Sequence, residues 1–410
     1  MRILFLAHRI PYPPNKGEKI RAYHELKFLG TRHTVDLLCF ADSVQEQQEQ
    51  KELQALCRNI YVERRLANRI ARGGLRSLLR GEPLSCGSFF SPKFQQEVRR
   101  MFTSNAYDVI LVFCSSMAQY VSWPPPAPVV MDFVDVDSAK WAEYARRSHP
   151  PRSWLYAREA RTLARHEKYW AATNYATVVS TQREAALLAV TGLSSVVVVG
   201  NGVEIRPRIR TLPEEVKTFD PYVVFIGTMN YLPNIDAAEH FAADILPRIH
   251  KTHSELKFVI VGRDPAVRVR RLARLPGVVV TGTVPEVETY LAGSIAVVAP
   301  FRMAHGIQNK MLEALAFGKP IVSTSGPARA IGAADGETLT IADNADEFAR
   351  AVVALLEDSR LYNRLSQGTD FVRRNFDWQD KLGQLEELLL QAAGLEPSSD
   401  GVVMNRAQAN

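Results

Sequence analysis

Two apolar, β-like runs, one ending at Ala299 and one opening at Ile321, enclose the residues of this chain best suited to chemistry. Arg302 follows the first run, then Gly306-Ile307-Gln308-Asn309-Lys310, then Glu313, and Gly318 stops the segment. Strand, glycine-containing loop, helix and strand make a βαβ unit whose helix starts at the strand end. The free N–H groups and the dipole of that helix end attract an anion, above all a phosphate. Arg302 and Lys310 add positive charge beside it. His305, Asn309 and Glu313 are four apart and share a face wherever the helix includes them. A carboxylate one turn in can accept two hydroxyls of a ribose. Together these residues predict a site for a nucleotide diphosphate. The plain alternative for Glu313 is a surface position among helix formers.

Three other places hold candidate chemistry. The loop after the first strand reads Pro13-Pro14-Asn15-Lys16-Gly17, where Gly17 lets backbone approach a ligand and Lys16 can meet a diphosphate. A plain exposed turn is the alternative. Asp132, Asp135 and Asp137 cluster beyond a buried strand, where Asp135 can orient an acceptor hydroxyl. A metal is the weaker idea, and a helix N-cap at Asp137 or Ser138 the structural one. His8 directly follows the first strand, either lining a cleft or satisfied within a loop. Residues 64–80 carry six arginines and no acid. Leu66 and Ile70 share a helical face there before Gly73-Gly74 is expected to break it. Such a segment is a solvated charge run or a contact for an anionic membrane.

Parallel strands must position these residues. Continuous apolar runs at Ile3–Leu6, Val35–Phe40, Val109–Phe113, Pro128–Met131, Ala176–Val179 and Val196–Val199 fill the first half. Tyr222–Ile226, Lys257–Val261, Val278–Val280, Ile295–Ala299 and Ile321–Ser323 fill the second. Lack of alternation suits strands buried on both faces, and helical patterns between them make the chain α/β. The clearest helix runs from Ile235 to Ile249, with Asn234 or Asp236 as its cap and Pro247 near its end. The proline-bearing, polar segment 206–220 reads as a linker. The division is therefore a first doubly wound domain over 1–205, a second over 206–375 and a disordered tail over 396–410. A helix at about 376–395 follows the second domain and packs back on the first. Ligands of such sheets bind outside the carboxyl ends of the strands.

Composition narrows the function. In 410 residues, 46% are hydrophobic and 23% charged, so an ordinary packed core is expected. A net charge of +6 permits an anionic partner without demanding one. Cys39, Cys57, Cys86 and Cys114 form no C-x-x-C pair, and neither G-x-G-x-x-G nor a P-loop occurs. The apolar start is too short for a signal peptide, and prolines or polar residues interrupt both long uncharged stretches. A cytoplasmic protein is expected.

The run from Gly306 through Glu313-Ala314, with Gly318-Lys319-Pro320 after it, resembles the nucleotide-sugar site of retaining glycosyltransferases of the GT-B fold, family four. Pro11 to Arg21, Asp132 to Trp141, Phe225 to Asn234 and Val261-Gly262-Arg263-Asp264-Pro265 narrow this to the exosortase (PEP-CTERM) system-associated sugar transferases. The resemblance spans residues 1 to about 390. It implies a nucleotide-diphospho-sugar donor held by the second domain at Gly306, Ile307, Gln308, Asn309 and Glu313, with Lys16 and Gly17 assisting. Arg302, Lys310 and Asp135 would be catalytic, with no metal and no cofactor. The acceptor would be a saccharide or a lipid-linked molecule in exopolysaccharide or glycolipid assembly, with the inner face of the cell membrane as a contact and no nucleic acid. The sequence departs from the wider superfamily in three places. His305 stands where a first Glu is usual, Gly227-Thr228-Met229 where a basic pair often follows, and Asp132 and Asp135 where the first domain usually has a His. An epimerase on the same frame and a non-catalytic sugar-nucleotide sensor are the alternatives.

Overall fold

In the computed structural model, which describes residues 1–188, 195–205, 209, 211–303 and 306–396, the apolar runs form two separate parallel sheets. The first contains β1 (Arg2–Ala7), β2 (Thr34–Ala41), β3 (Asn59–Arg64), β4 (Val109–Phe113), β5 (Val129–Val134), β6 (Ala176–Val179) and β7 (Ser195–Val198), in the order β3-β2-β1-β4-β5-β6-β7. The second contains β8 (Tyr222–Ile226), β9 (Lys257–Val261), β10 (Val278–Gly282), β11 (Ala296–Ala299), β12 (Ile321–Ser323) and β13 (Thr340–Ile341), in the order β10-β9-β8-β11-β12-β13. Helices on both faces bury the central strands, and Ile3 through Ala7 and Tyr222 through Phe225 have almost no exposure. The chain divides into two units. One takes the residues up to Val199 and the chain from Gln379 onward; the other is Gly200–Trp378.

Each sheet reverses its strand order once, between β1 and β4 and between β8 and β11. Crossovers leave in opposite directions there, which opens a crevice at the carboxyl ends of the two strands.

Several local expectations change. β3 and β13 lie outside the predicted runs, because one ends in Glu63-Arg64 at a sheet edge and the other has two residues. Asp132 is inside β5 rather than beyond it, and is fully buried. Val136, not Asp137 or Ser138, caps the helix Asp137–Arg146. Tyr231, not Asn234 or Asp236, caps the helix Leu232–His240, which continues through a π turn at Phe241–Ile245 to Ile249. Gly73-Gly74 do not break a helix: Ala67–Arg80 runs through them, because Gly73 packs against Gly87 where a Cβ would stand 1.9 Å from the carbonyl oxygen. Residues 189–194 within the second long uncharged stretch, most of the linker's start (206–208 and 210), His305 and nearly all of the tail lie outside the described residues.

Candidate active site

The second unit gathers the predicted residues at its reversal point. β8 ends at Ile226 and hands over to Gly227; β11 ends at Ala299 and hands over to Pro300-Phe301. The helix Asn309–Ala316 starts above them, fixed by buried Met311, Leu312, Ala314 and Leu315. Gly306, in the left-handed region at φ 62°, turns the loop into it. Gln308 is its N-cap, extended, with no capping bond from its side chain.

Lys310 crosses this crevice. Its amine lies 4.9 Å from the Phe225 ring centre and 4.8 Å from that of Phe301, and donates to Asn234 Oδ1 at 2.7 Å. The Asn234 amide in turn donates to the Thr228 carbonyl at 2.9 Å, which fixes its orientation. A Cβ on Gly227 would stand 2.8 Å from the Lys310 amine, so the glycine where a basic residue is usual makes room for this lysine. Burial pushes the Lys310 amine down to about 7, partly countered by the Glu313 carboxylate. A desolvated amine with a neutral amide for company gains most from an incoming anion. Glu313 is half-buried one turn past Asn309, and the Asn309 side chain accepts from Asn201 Nδ2 at 2.8 Å.

Arg302 is differently placed. Its guanidinium grips Asp236 at two points, 3.0 Å (Nε) and 2.6 Å (Nη2), with the side chain 45% exposed. It can serve a phosphate only by sharing or leaving that carboxylate. Asn234 and Asp236, read from sequence as caps, are thus the partners of the two site cations.

The first unit brings together a different set. His8 follows β1, its ring stacked on Phe113 (5.9 Å, 9°) and edge-on to Phe89 (5.5 Å). Burial, helped by Arg9, pushes its imidazole down to about 4, so it is neutral at pH 7. Its Nδ1 is buried with no hydrogen-bond partner among the described residues. Cys114 (φ 77°) and Val134 (φ 65°) are strained at the ends of β4 and β5; for a β-branched residue this is an outlier of the sort that accompanies functional sites. Asp135 comes next. Burial raises its carboxyl above the usual range. It shares the Ser180 hydroxyl (3.3 Å) with Glu184 (2.8 Å), whose carboxyl burial and Asp135 push up to about 8. Asp137 pairs with Lys140. Lys16 caps the helix Gly17–Gly30 in extended conformation, but Glu18 occupies the first turn and binds Arg9 at 2.9 Å. An anion at Lys16 and Gly17 would meet that carboxylate.

Among the described residues no group of three or more His, Cys, Asp or Glu side chains is placed to hold a metal ion, and no helix is long and apolar enough to cross a membrane.

Comparison with known proteins bears on the fold and on the second unit. Residues 220–358 match the family of glycosyl transferases group 1. The match spans β8 to the end of the helix Ala345–Glu357, and so contains Lys310, Glu313, Asn234 and Arg302. No curated protein matches the chain. Solved structures match nearly all of it. HepE of Anabaena in complex with UDP and glucose is 16% identical, with 95% of this chain and 99% of that one covered and a TM-score of 0.67. Sucrose-phosphate synthase of Thermosynechococcus elongatus is 15% identical, with 95% and 98% covered and a TM-score of 0.69. A glycosyltransferase of Rickettsia africae is 12% identical, with 95% and 98% covered and a TM-score of 0.62. These likenesses establish the fold. The chain has the GT-B fold, with a group 1 domain in its second unit.

Proposed function

We propose that this protein transfers a sugar from a nucleotide-diphospho-sugar to an acceptor hydroxyl, with retention at the anomeric carbon, in exopolysaccharide or glycolipid assembly of the exosortase-associated type. The carrying observation is the Lys310 amine, held between two aromatic rings and an amide at the reversal point of a group 1 domain. A diphosphate at the start of the Asn309–Ala316 helix would meet that amine and the helix N–H groups. Charge grows on the leaving diphosphate as the sugar bond breaks. A lysine that then holds its proton more tightly lowers the barrier more than it improves donor binding. Glu313 accepts the ribose hydroxyls. The first unit presents the acceptor near His8 and Asp135, whose carboxyl, raised by burial and held by the Ser180 hydroxyl, orients the acceptor hydroxyl. The donor's own diphosphate is the leaving group, so the reaction as proposed uses no cofactor or metal. HepE is seen with UDP and glucose, which makes UDP-sugars the first donors to try. The acceptor is a saccharide or a lipid-linked molecule; with the latter, the protein works in the cytoplasm at the inner face of the cell membrane.

Glu313→Ala tests the ribose role. A hydrogen bond to a charged group contributes about 1.5–3 kcal/mol, so UDP affinity falls by about one to two orders of magnitude by calorimetry. A folded variant with unchanged affinity overturns it.

A further inference from the structure

The helix Ala67–Arg80 is built inside out. Its buried stripe is Gly73 and Ser77, small residues that admit the neighbouring helix Leu84–Ser88. Its leucines point the other way: Leu75, Leu78 and Leu79 are 59%, 48% and 80% exposed. At 3.6 residues per turn these three span about 100° of the helix surface, the width normally turned toward a core.

A second element adds to this face. Arg158, in the helix Arg152–Thr173, donates from Nη2 to the carbonyl oxygens of Ser77 and Glu82, each at 3.1 Å. The start of that helix therefore lies against the end of Ala67–Arg80. Trp154 and Leu155, four and three residues before Arg158 and so on its side of the helix, are 70% and 45% exposed. Two helices whose ends meet thus each expose large apolar side chains, more than the scattered ones of an ordinary surface.

The charge around them is mainly positive: Glu63 pairs with Arg69 at 2.6 Å and Glu82 follows the helix, while Arg72, Arg76 and Arg80 have no ion pair among the described residues. Ala67–Arg80 contains four arginines and no carboxylate. Glu159 is the acid between Arg152 and Arg165, and it is buried, accepting from the Leu84 and Ser85 N–H groups at 2.8 Å each. A second copy of this face would set arginine against arginine. An anionic bilayer satisfies both parts, the acyl boundary taking the apolar residues and the headgroup phosphates the guanidinium groups.

We propose that this face is a membrane-docking surface that seats the first unit on an anionic phospholipid bilayer, with Leu75, Leu78, Leu79 and Trp154 entering the acyl boundary. It rests on the proposed function only for its purpose, access to a lipid-linked acceptor.

The test is co-sedimentation of the full chain with phosphatidylcholine vesicles, with and without phosphatidylglycerol, at about 0.15 M salt, where exposed charges act over about 8 Å. Binding to the anionic vesicles is expected, with a blue shift of tryptophan emission that Trp154→Phe removes. The double variant Leu78→Ser, Leu79→Ser, altered only at exposed positions, should bind at least about tenfold more weakly while UDP affinity is unchanged. Arg72→Gln should weaken binding about fivefold, the worth of one charge near such a surface. Absence of wild-type binding to anionic vesicles overturns the proposal, as does equal binding by the double variant. So does a dimer, seen by light scattering, that the serines dissociate. Failure of UDP to bind would sink the donor site instead and leave this result standing.

Discussion

The two units present the same place in the same kind of sheet, and fill it in opposite ways. Beneath the reversal point of the first, Arg21 and Asp132 pair through a 2.9 Å bond with both side chains fully buried, and Arg21 also donates to the Val199 carbonyl at 2.8 Å. Glu25 lies beside them with its carboxyl raised well above the usual range by burial and by Asp132. In the second unit Lys310 has two rings and an amide, and the Glu313 carboxylate only partly offsets its desolvation. Charge that is cancelled internally builds a scaffold. Charge left incompletely offset costs stability and is what an anion would complete. The first unit accordingly offers a neutral His8 beside two carboxyls raised by burial, and the second a desolvated amine, the group the proposed function assigns to the diphosphate.

The strongest way to break this contrast is Asp132→Ala. Removing one member of a buried pair costs about 3–5 kcal/mol, so denaturant unfolding of the first unit should shift strongly. If it barely moves, the trio is not the scaffold argued here. Lys310→Met should do the reverse, cutting turnover by about 100-fold, the effect of losing one preorganised donor, while raising the melting temperature of the free protein. A loss of both activity and stability would make Lys310 a structural residue.

Opposite pH responses sharpen the comparison further. The Glu184 carboxyl is raised from 4.5 to about 8, so the folded first unit binds more protons than the unfolded one between those values, and loses stability as pH rises through them. The Lys310 amine is lowered from 10.5 to about 7, so the second unit gains stability as pH rises across that window. Calorimetric transitions of the two units should move in opposite senses between about pH 6 and 9, Glu184→Gln flattening one and Lys310→Met the other. UDP affinity should meanwhile fall by up to about tenfold per pH unit above about 7, since the anion needs the charged amine. The smallest effect concerns Arg302. Its exposed pair with Asp236 is worth about 0–1 kcal/mol, so Asp236→Asn should release it and raise UDP affinity by less than about fivefold. A drop would place Asp236 itself among the ligand's contacts.

Much of this was visible in the chain. Parallel strands buried on both faces leave unbroken apolar runs, and the loop-to-helix passage that holds Lys310 and Glu313 beside two strand ends was legible from its glycine and spacing. The rest depended on partners distant in sequence. An acid ending an apolar run marks Asp132 as a loop residue unless Arg21, 111 residues earlier, is known to meet it inside. Gly73 looks like a helix breaker unless Gly87 is known to lie against it. Asn234 and Asp236 fit capping positions so well that their bonds to Lys310 and Arg302, 76 and 66 residues away, stayed hidden.

The last helix, Trp378–Ala392, counts almost wholly with the first unit, and its Glu386 meets His33 at 2.8 Å across 353 residues. The chain therefore emerges from the ribosome in an order that favours the inserted unit. Gly200–Trp378 is entire before the surrounding unit has received its closing piece. Until then the surface awaiting Leu382, Leu385 and Leu389, all buried in the finished protein, stands open. Such long-range closure is slow and invites aggregation, so a chain stopped short at Trp378 would leave the inserted unit sound and the other in need of a chaperone.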